Sequence, residues 1–198
     1  MSKITTLIGR QSYELIRNRI GEILIDELAN QTVLGNVFTS ANVEVESSSI
    51  VDNTEMSTIQ ISLSTGDYSN EHQGTSNGEF EFNIDVFCKS KSSLTYNGSI
   101  NAMFKTQALI GIVRYILKDP QYKTLGFTPG FIGGVTVGKI MMGDADKTDT
   151  MNSIGGRLIF KVKAIEENAL LNVTLINSYR TSVILGTSAQ GYQYNQVP

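Results

Sequence analysis

Glu79-Phe80-Glu81-Phe82-Asn83-Ile84-Asp85-Val86 alternates strictly between polar and apolar residues. A period of two belongs to a β-strand, whose successive side chains point to opposite faces. The run reads as a strand with one dry face, formed by Phe80, Phe82, Ile84 and Val86, and one wet, acidic face. Upstream, Val43 and Val45 alternate with Glu44 and Glu46, and Ile59, Ile61 and Leu63 with Gln60 and Ser62. Downstream, Leu158, Phe160, Val162 and Ala164 alternate with Arg157, Ile159, Lys161 and Lys163. A short strand over Val135 to Met142 precedes that last run. The polar stretch Ser64 to Gly78 has no period and reads as a long hairpin loop with Tyr68 as its one large anchor. Loops of that length are uncommon unless they serve contact.

Two segments change period. Tyr13, Ile16, Ile20, Ile23, Leu24 and Leu28 recur at three- and four-residue steps, which predicts a helix capped by Ser12 and closed between Asn30 and Asn36. Ile100, Met103, Phe104, Ile110, Val113 and Leu117 predict a second helix, capped by Ser99 and stopped at Asp119-Pro120, because proline disfavours helix in the residue before it. A glycine-rich connection, Gly126 to Gly134, and a charged loop, Gly143 to Ser153, complete the pattern. The order is α-β-β-β-α-β-β, and the expected fold is α+β, a mainly antiparallel sheet with two helices packed on one face. Residues 1–169 are expected to form this domain. Residues 170–198 form a C-terminal extension or arm, in which Val173 with Leu175 and Val183 with Leu185 offer apolar, strand-like spacing. The last dozen residues hold little that builds a core.

The charge is unevenly spread. No lysine or arginine occurs between Arg19 and Lys89, while 12 of the 19 acidic residues fall there. Like charges repel within a compact state, so this segment needs a counterpart. The counterpart could be the basic part of the same subunit, with Lys161 and Lys163 pairing across the sheet with Glu79, Glu81 or Asp85. It could also be the basic part of a neighbour, or the charge could keep a polyanion from adhering. The single cysteine, Cys88, permits no internal disulfide and reads as a buried small hydrophobe. The start of the chain lacks a secretory h-region, and no apolar run approaches the ~20 residues of a membrane span, so a cytosolic site of synthesis and no membrane partner are expected.

Catalytic motifs fail on inspection. His72 is the only histidine, sits in the polar stretch, and has no nucleophile elbow near it. One histidine and one cysteine do not make the usual zinc sites. Gly133 to Ile140 nearly matches a phosphate-binding loop, but Ile140 stands where Ser or Thr is needed and no helix pattern follows. Asp144-Ala145-Asp146-Lys147-Thr148 has the spacing of an aspartate-nucleophile motif, but too little chain follows to complete the doubly wound domain that carries it. No cofactor, no metal and no catalytic residue are expected. Scattered basic residues and an acidic segment also speak against specific nucleic-acid binding.

The N-terminal helix with Tyr13-Glu14-Leu15-Ile16 and Ile23-Leu24 is followed by the acidic strands leading to Phe80–Val86. The helix Ile100 to Lys118, the strand Val135–Ile140 and Gly155-Gly156-Arg157-Leu158-Ile159-Phe160-Lys161-Val162 complete the order. Over Gln11 to Glu166 this resembles the tail terminator (tail completion) proteins of tailed bacteriophages and related small neck proteins. The resemblance implies a non-enzymatic structural virion protein of the tail or neck, assembled in the host cytoplasm. It implies a ring, of six subunits, that ends tail-tube growth, offers a surface for head–tail joining, meets tube, sheath or neck proteins, and lets DNA pass without specific binding. The stretch Leu170 to Pro198 departs from the compact family pattern. Expected contact residues are Glu44, Glu46, Asp67, Tyr68, Glu71, Lys161, Lys163, Val173 and Leu175. The competing expectation is an adaptor or binding module of the neck or tail that works as a monomer or dimer.

Overall fold

The structure, a computed structural model, describes residues 9–46, 57–72, 75–92, 97–147, 152–167, 179–184 and 191–196. The chain divides into two compact units, Met1–Glu167 and Asn168–Pro198. In the first, the elements run α1 (Ser12–Val33), β1 (Ala41–Val45), β2 (Ser57–His72), β3 (Thr75–Ser90), α2 (Gly98–Lys118), β4 (Ile132–Lys147) and β5 (Asn152–Glu167), with a 3-10 turn at Pro120–Tyr122 after α2. This is the α-β-β-β-α-β-β order and the α+β class expected from periodicity.

The five strands form one mixed sheet, ordered β1-β2-β3-β5-β4. Only β1 and β2 run parallel; the other three ladders are antiparallel. Strand β3 lies at the centre, and Phe80, Phe82, Ile84, Val86 and Cys88 are all fully buried on one face. Across from them stand Val162, Phe160, Leu158 and Gly156 of β5, and Ile61 and Ile59 of β2. Both helices cover this face, α1 over β1 and β2, and α2 over β3, β5 and β4. Ile16, Ile20, Ile23, Leu24 and Leu28 supply the α1 side of the core, and Leu109, Ile110, Val113 and Leu117 the α2 side. Each such side chain, fully buried, contributes about 1.5–3 kcal/mol.

Glycine sets two of the close approaches. Gly156 lies beneath Ile110 of α2, and a Cβ there would collide with its Cδ1. The Phe80 ring folds over Gly78 on its own strand and reaches Gly66 on β2, where a Cβ would come within 3.1 Å. Thr106 fastens the same layer from within, donating through Oγ1 to Ala102 O at 2.8 Å and to Ile154 O at 3.2 Å.

Several local expectations need correction. The α1 N-cap is Gln11, not Ser12; its N–H donates to Glu14 Oε2 at 2.9 Å, and Ser12 is buried in the first turn. The α2 N-cap is Asn97, whose side chain accepts from the Ser99 N–H. The described residues of Ser64 to Gly78, 64–72 and 75–78, are strand and not loop. They continue the β2–β3 ladder through Asp67↔Glu79, Tyr68↔Gly78 and Ser69↔Asn77 to His72↔Thr75. Likewise β4 starts at Ile132 and reaches Lys147, and β5 starts at Asn152, so the end of the glycine-rich connection and much of the charged one are strand. Ladder bonds join backbone groups whatever the side chain, so pairing continues where the apolar alternation has stopped.

The apolar stripe of α2 is also corrected in its first turns. Ile100, Met103 and Phe104 are exposed, Phe104 by 58%, while Gly98, Ala102 and Thr106 are buried. A Cβ on Gly98 would lie 2.5 Å from Asn152 Nδ2 and 2.8 Å from Ser90 O. The start of α2 crosses the strand ends that closely, so only small residues face the sheet there. In the second unit, β6 (Tyr179–Ile184) and β7 (Gly191–Gln196) form an antiparallel pair, and β7 falls among the last dozen residues.

Candidate assembly surface

The sheet face opposite the helices carries the charged residues of β3 and β5. Register brings Glu79 beside Lys163, Glu81 beside Lys161 and Asp85 beside Arg157. All three pairs are closed. Arg157 grips Asp85 with two parallel bonds, Nε to Oδ1 at 2.6 Å and a terminal amino group to Oδ2 at 2.8 Å, and this hydrogen bond holds the guanidinium pKa above its ordinary value. Lys161 Nζ lies 2.8 Å from Glu81 Oε2, and that contact raises the lysine pKa. Lys163 Nζ lies 3.4 Å from Glu79 Oε2. These ladder pairs give the face alternating charge rather than a basic or acidic field.

Of the expected contact residues, Lys161 and Lys163 therefore pair within the chain. Glu44 accepts from Asn42 at 2.9 Å and from Gln60 at 3.4 Å across the β1–β2 ladder. Glu46 pairs with Arg17 of α1 and adopts a left-handed backbone, φ 53°, where β1 ends. Its N–H donates to Ile61 O at 2.9 Å, which holds that uncommon conformation for a non-glycine residue. Asp67 and Tyr68 lie on the distal half of β2. Tyr68, 46% exposed, sets its ring edge-on to Phe80 with centroids 5.4 Å apart, while Tyr13 of α1 meets Phe80 at 6.0 Å. Tyr68 thus caps the end of the core and still presents a surface. Glu71 lies in the last rungs of β2. Val173 and Leu175 lie outside the described residues.

Sequence reading missed two groups of exposed apolar side chains. Ile100, Met103 and Phe104 of α2, and Ile140, Met141 and Met142 of β4, are all between 38% and 58% exposed. The signal was present as an unbroken apolar trio in β4, which alternation cannot explain. A groove where α2 meets β4 is lined by Arg114, Leu117, Lys118, Val135 and Val137.

Away from these groups, Tyr122 Oη donates to Glu27 Oε1, and Arg19 Nε donates to Leu125 O at 2.9 Å, pinning the turn after α2 onto α1. The hydrogen bond to Glu27, with burial and the nearby carboxylate charge, pushes the Tyr122 pKa up to about 12. Gly133 to Ile140 lies within β4, without the helix that a phosphate loop requires. Asp144 and Asp146 lie on the same strand. Among the described residues no group of three or more His, Cys, Asp or Glu is arranged to hold a metal ion, and no helix is long and apolar enough to cross a membrane. Comparison with protein-family models and with curated proteins finds no match to this chain.

Proposed function

We propose that this chain is a structural subunit of a bacteriophage tail or neck, of the tail-terminator type. In this reading copies associate side by side in a ring, six by the resemblance, that closes the tail tube, joins head to tail and lets DNA pass. The observation that carries it is the β2–β3 ribbon. Residues 65–69 of β2 are strand-paired with β3 yet exposed, and β5 follows the other side of β3 as far as Thr75↔Glu167, so this end of the sheet continues past the buried residues of the core. A polar, exposed end of a sheet offers backbone and side-chain groups for contact with a neighbour. The charge-balanced ladder on the open sheet face suits a wall past which a polyanion moves without adhering.

One observation favours the second reading, an adaptor acting as monomer or dimer. The basic and acidic parts of the chain meet in Arg17–Glu46, Asp85–Arg157, Glu81–Lys161 and Glu79–Lys163, so the uneven charge needs no neighbour to balance it. Mass measurement of the protein alone and mixed with isolated tail tubes of its parent phage, together with electron microscopy of the tube ends, separates the two. Rings on tube ends are expected. A protein that stays a monomer or dimer and leaves the ends bare overturns the ring in favour of the adaptor.

A further inference from the structure

Among the described residues strand β4 is an edge of the sheet, sixteen residues long, hydrogen-bonded on one side to β5. The opposite edge, β1, has only five residues. A long edge carrying exposed apolar side chains is a template for another strand. On β4 those side chains are consecutive: Ile140 is 44% exposed, Met141 43% and Met142 38%.

The apolar trio Ile140-Met141-Met142 is bounded by Lys139 on one side and Gly143 on the other. The backbone, not the side-chain sequence, is symmetric about Met141. The ladder to β5 shifts register between Val137 and Ile140 and again between Met142 and Ala145, leaving 140–142 as a regular segment between two irregularities. Such irregularities end pairing or turn an edge away. The pairing partners set the faces. Ile140 opposes Leu158 and Met142 opposes Gly156, both on the helix-covered side, whereas Met141 opposes Arg157 on the open side.

We infer that a second copy of this chain covers the β4 edge, the two β4 strands running antiparallel about a two-fold axis through Met141. An antiparallel pair of identical strands is self-complementary, as an isologous contact requires. In this register Ile140 of each copy faces Met142 of the other on the helix-covered side, and Met141 faces its own counterpart on the open side. Every paired residue keeps its face. Lys139 falls opposite Gly143 of the second copy, so the lysine stem meets no opposing side chain. The two five-stranded sheets become one sheet of ten strands. This contact is independent of the ring reading, since a head-to-tail ring does not place residue 141 against itself.

The test is oxidation of Met141→Cys in the otherwise intact chain. Directly opposed residues of an antiparallel pair have Cα atoms about 4.5–5.5 Å apart, inside the range of about 4.4–6.8 Å that a disulfide accepts. The native Cys88 is fully buried and stays silent. Thr136→Cys, on the same face, lies ten positions from its counterpart in the other strand and serves as the control. The expected result is a covalent dimer from Met141→Cys and none from Thr136→Cys. The unmodified protein should sediment as a dimer whose Kd rises at least tenfold, about 1.4 kcal/mol, in the double variant Ile140→Lys, Met142→Lys. Equal crosslinking of both cysteine variants, or none from Met141→Cys, overturns the inference. So does a free protein that is monomeric throughout the accessible concentration range, or crosslinking of Met141→Cys only to a different protein.

Discussion

Replacing Phe82 by alanine removes the ring at the middle of the sheet. Phe82 is fully buried, with Leu63 opposite it on β2 and Phe160 opposite it on β5. The lost transfer free energy of such a ring is about 1.5–3 kcal/mol. A void between two flanking strands and two helices relaxes only in part, which brings the expected loss to about 3–5 kcal/mol. For a unit of this size each kcal/mol lowers Tm by about 2–4 °C, so a drop of roughly 6–20 °C is expected. Phe87 on the same strand is the internal control, because it lies on the other face and is only half-buried. Phe87→Ala should lose roughly 1 kcal/mol, in proportion to the smaller area it removes from water. Urea unfolding followed by circular dichroism, with both variants and the parent at one pH, measures the difference. A Phe82→Ala loss below about 1 kcal/mol, or equal losses for the two variants, would refute the assignment of the dry face.

The Tyr122 pKa is raised from 10.0 to about 12 in the folded chain, so the stability it contributes is complete below pH 10 and disappears as pH climbs from about 10 to about 12. Tyr122→Phe should lack that alkaline loss, and ultraviolet titration of tyrosinate in the parent should show one late-ionising tyrosine that the variant does not have. A double-mutant cycle on Asp85→Ala and Arg157→Ala should return a coupling of about 0.5–1 kcal/mol that shrinks in high salt, since the arginine is 44% exposed. Coupling that ignores salt would count against an exposed ion pair. Replacing Ser69–Asn77 by Asn-Gly closes the ribbon at the Tyr68↔Gly78 rung with a tight hairpin turn. The fold should survive with Tm within about 2 °C, and ring formation on tail tubes should be lost. Collapse of the fold itself would show that the ribbon belongs to the core.

The strict alternation of Phe80 to Val86 determined by itself that β3 exists and which of its faces is dry. A one-residue slip would place four large apolar side chains in water, so no other register competes. The three- and four-residue steps from Ile16 to Leu28 determined α1 in the same way, and together these signals settle the order of elements and the α+β class. What the sequence left open is what depends on backbone pairing and on distance in space. The ends of β2, β3, β4 and β5 were hidden because ladder bonds join N–H to C=O for any residue, so the strands continue through polar and glycine-rich stretches with no alternation. The exposure of Ile100, Met103 and Phe104 depended on how closely α2 approaches the sheet at Gly98, Ala102 and Thr106. The partners of the acidic segment were undecided for the same reason. Seventy or more residues separate Asp85 from Arg157, Glu81 from Lys161 and Glu79 from Lys163. Only the placement of β5 between β3 and β4, at one particular register, makes them neighbours.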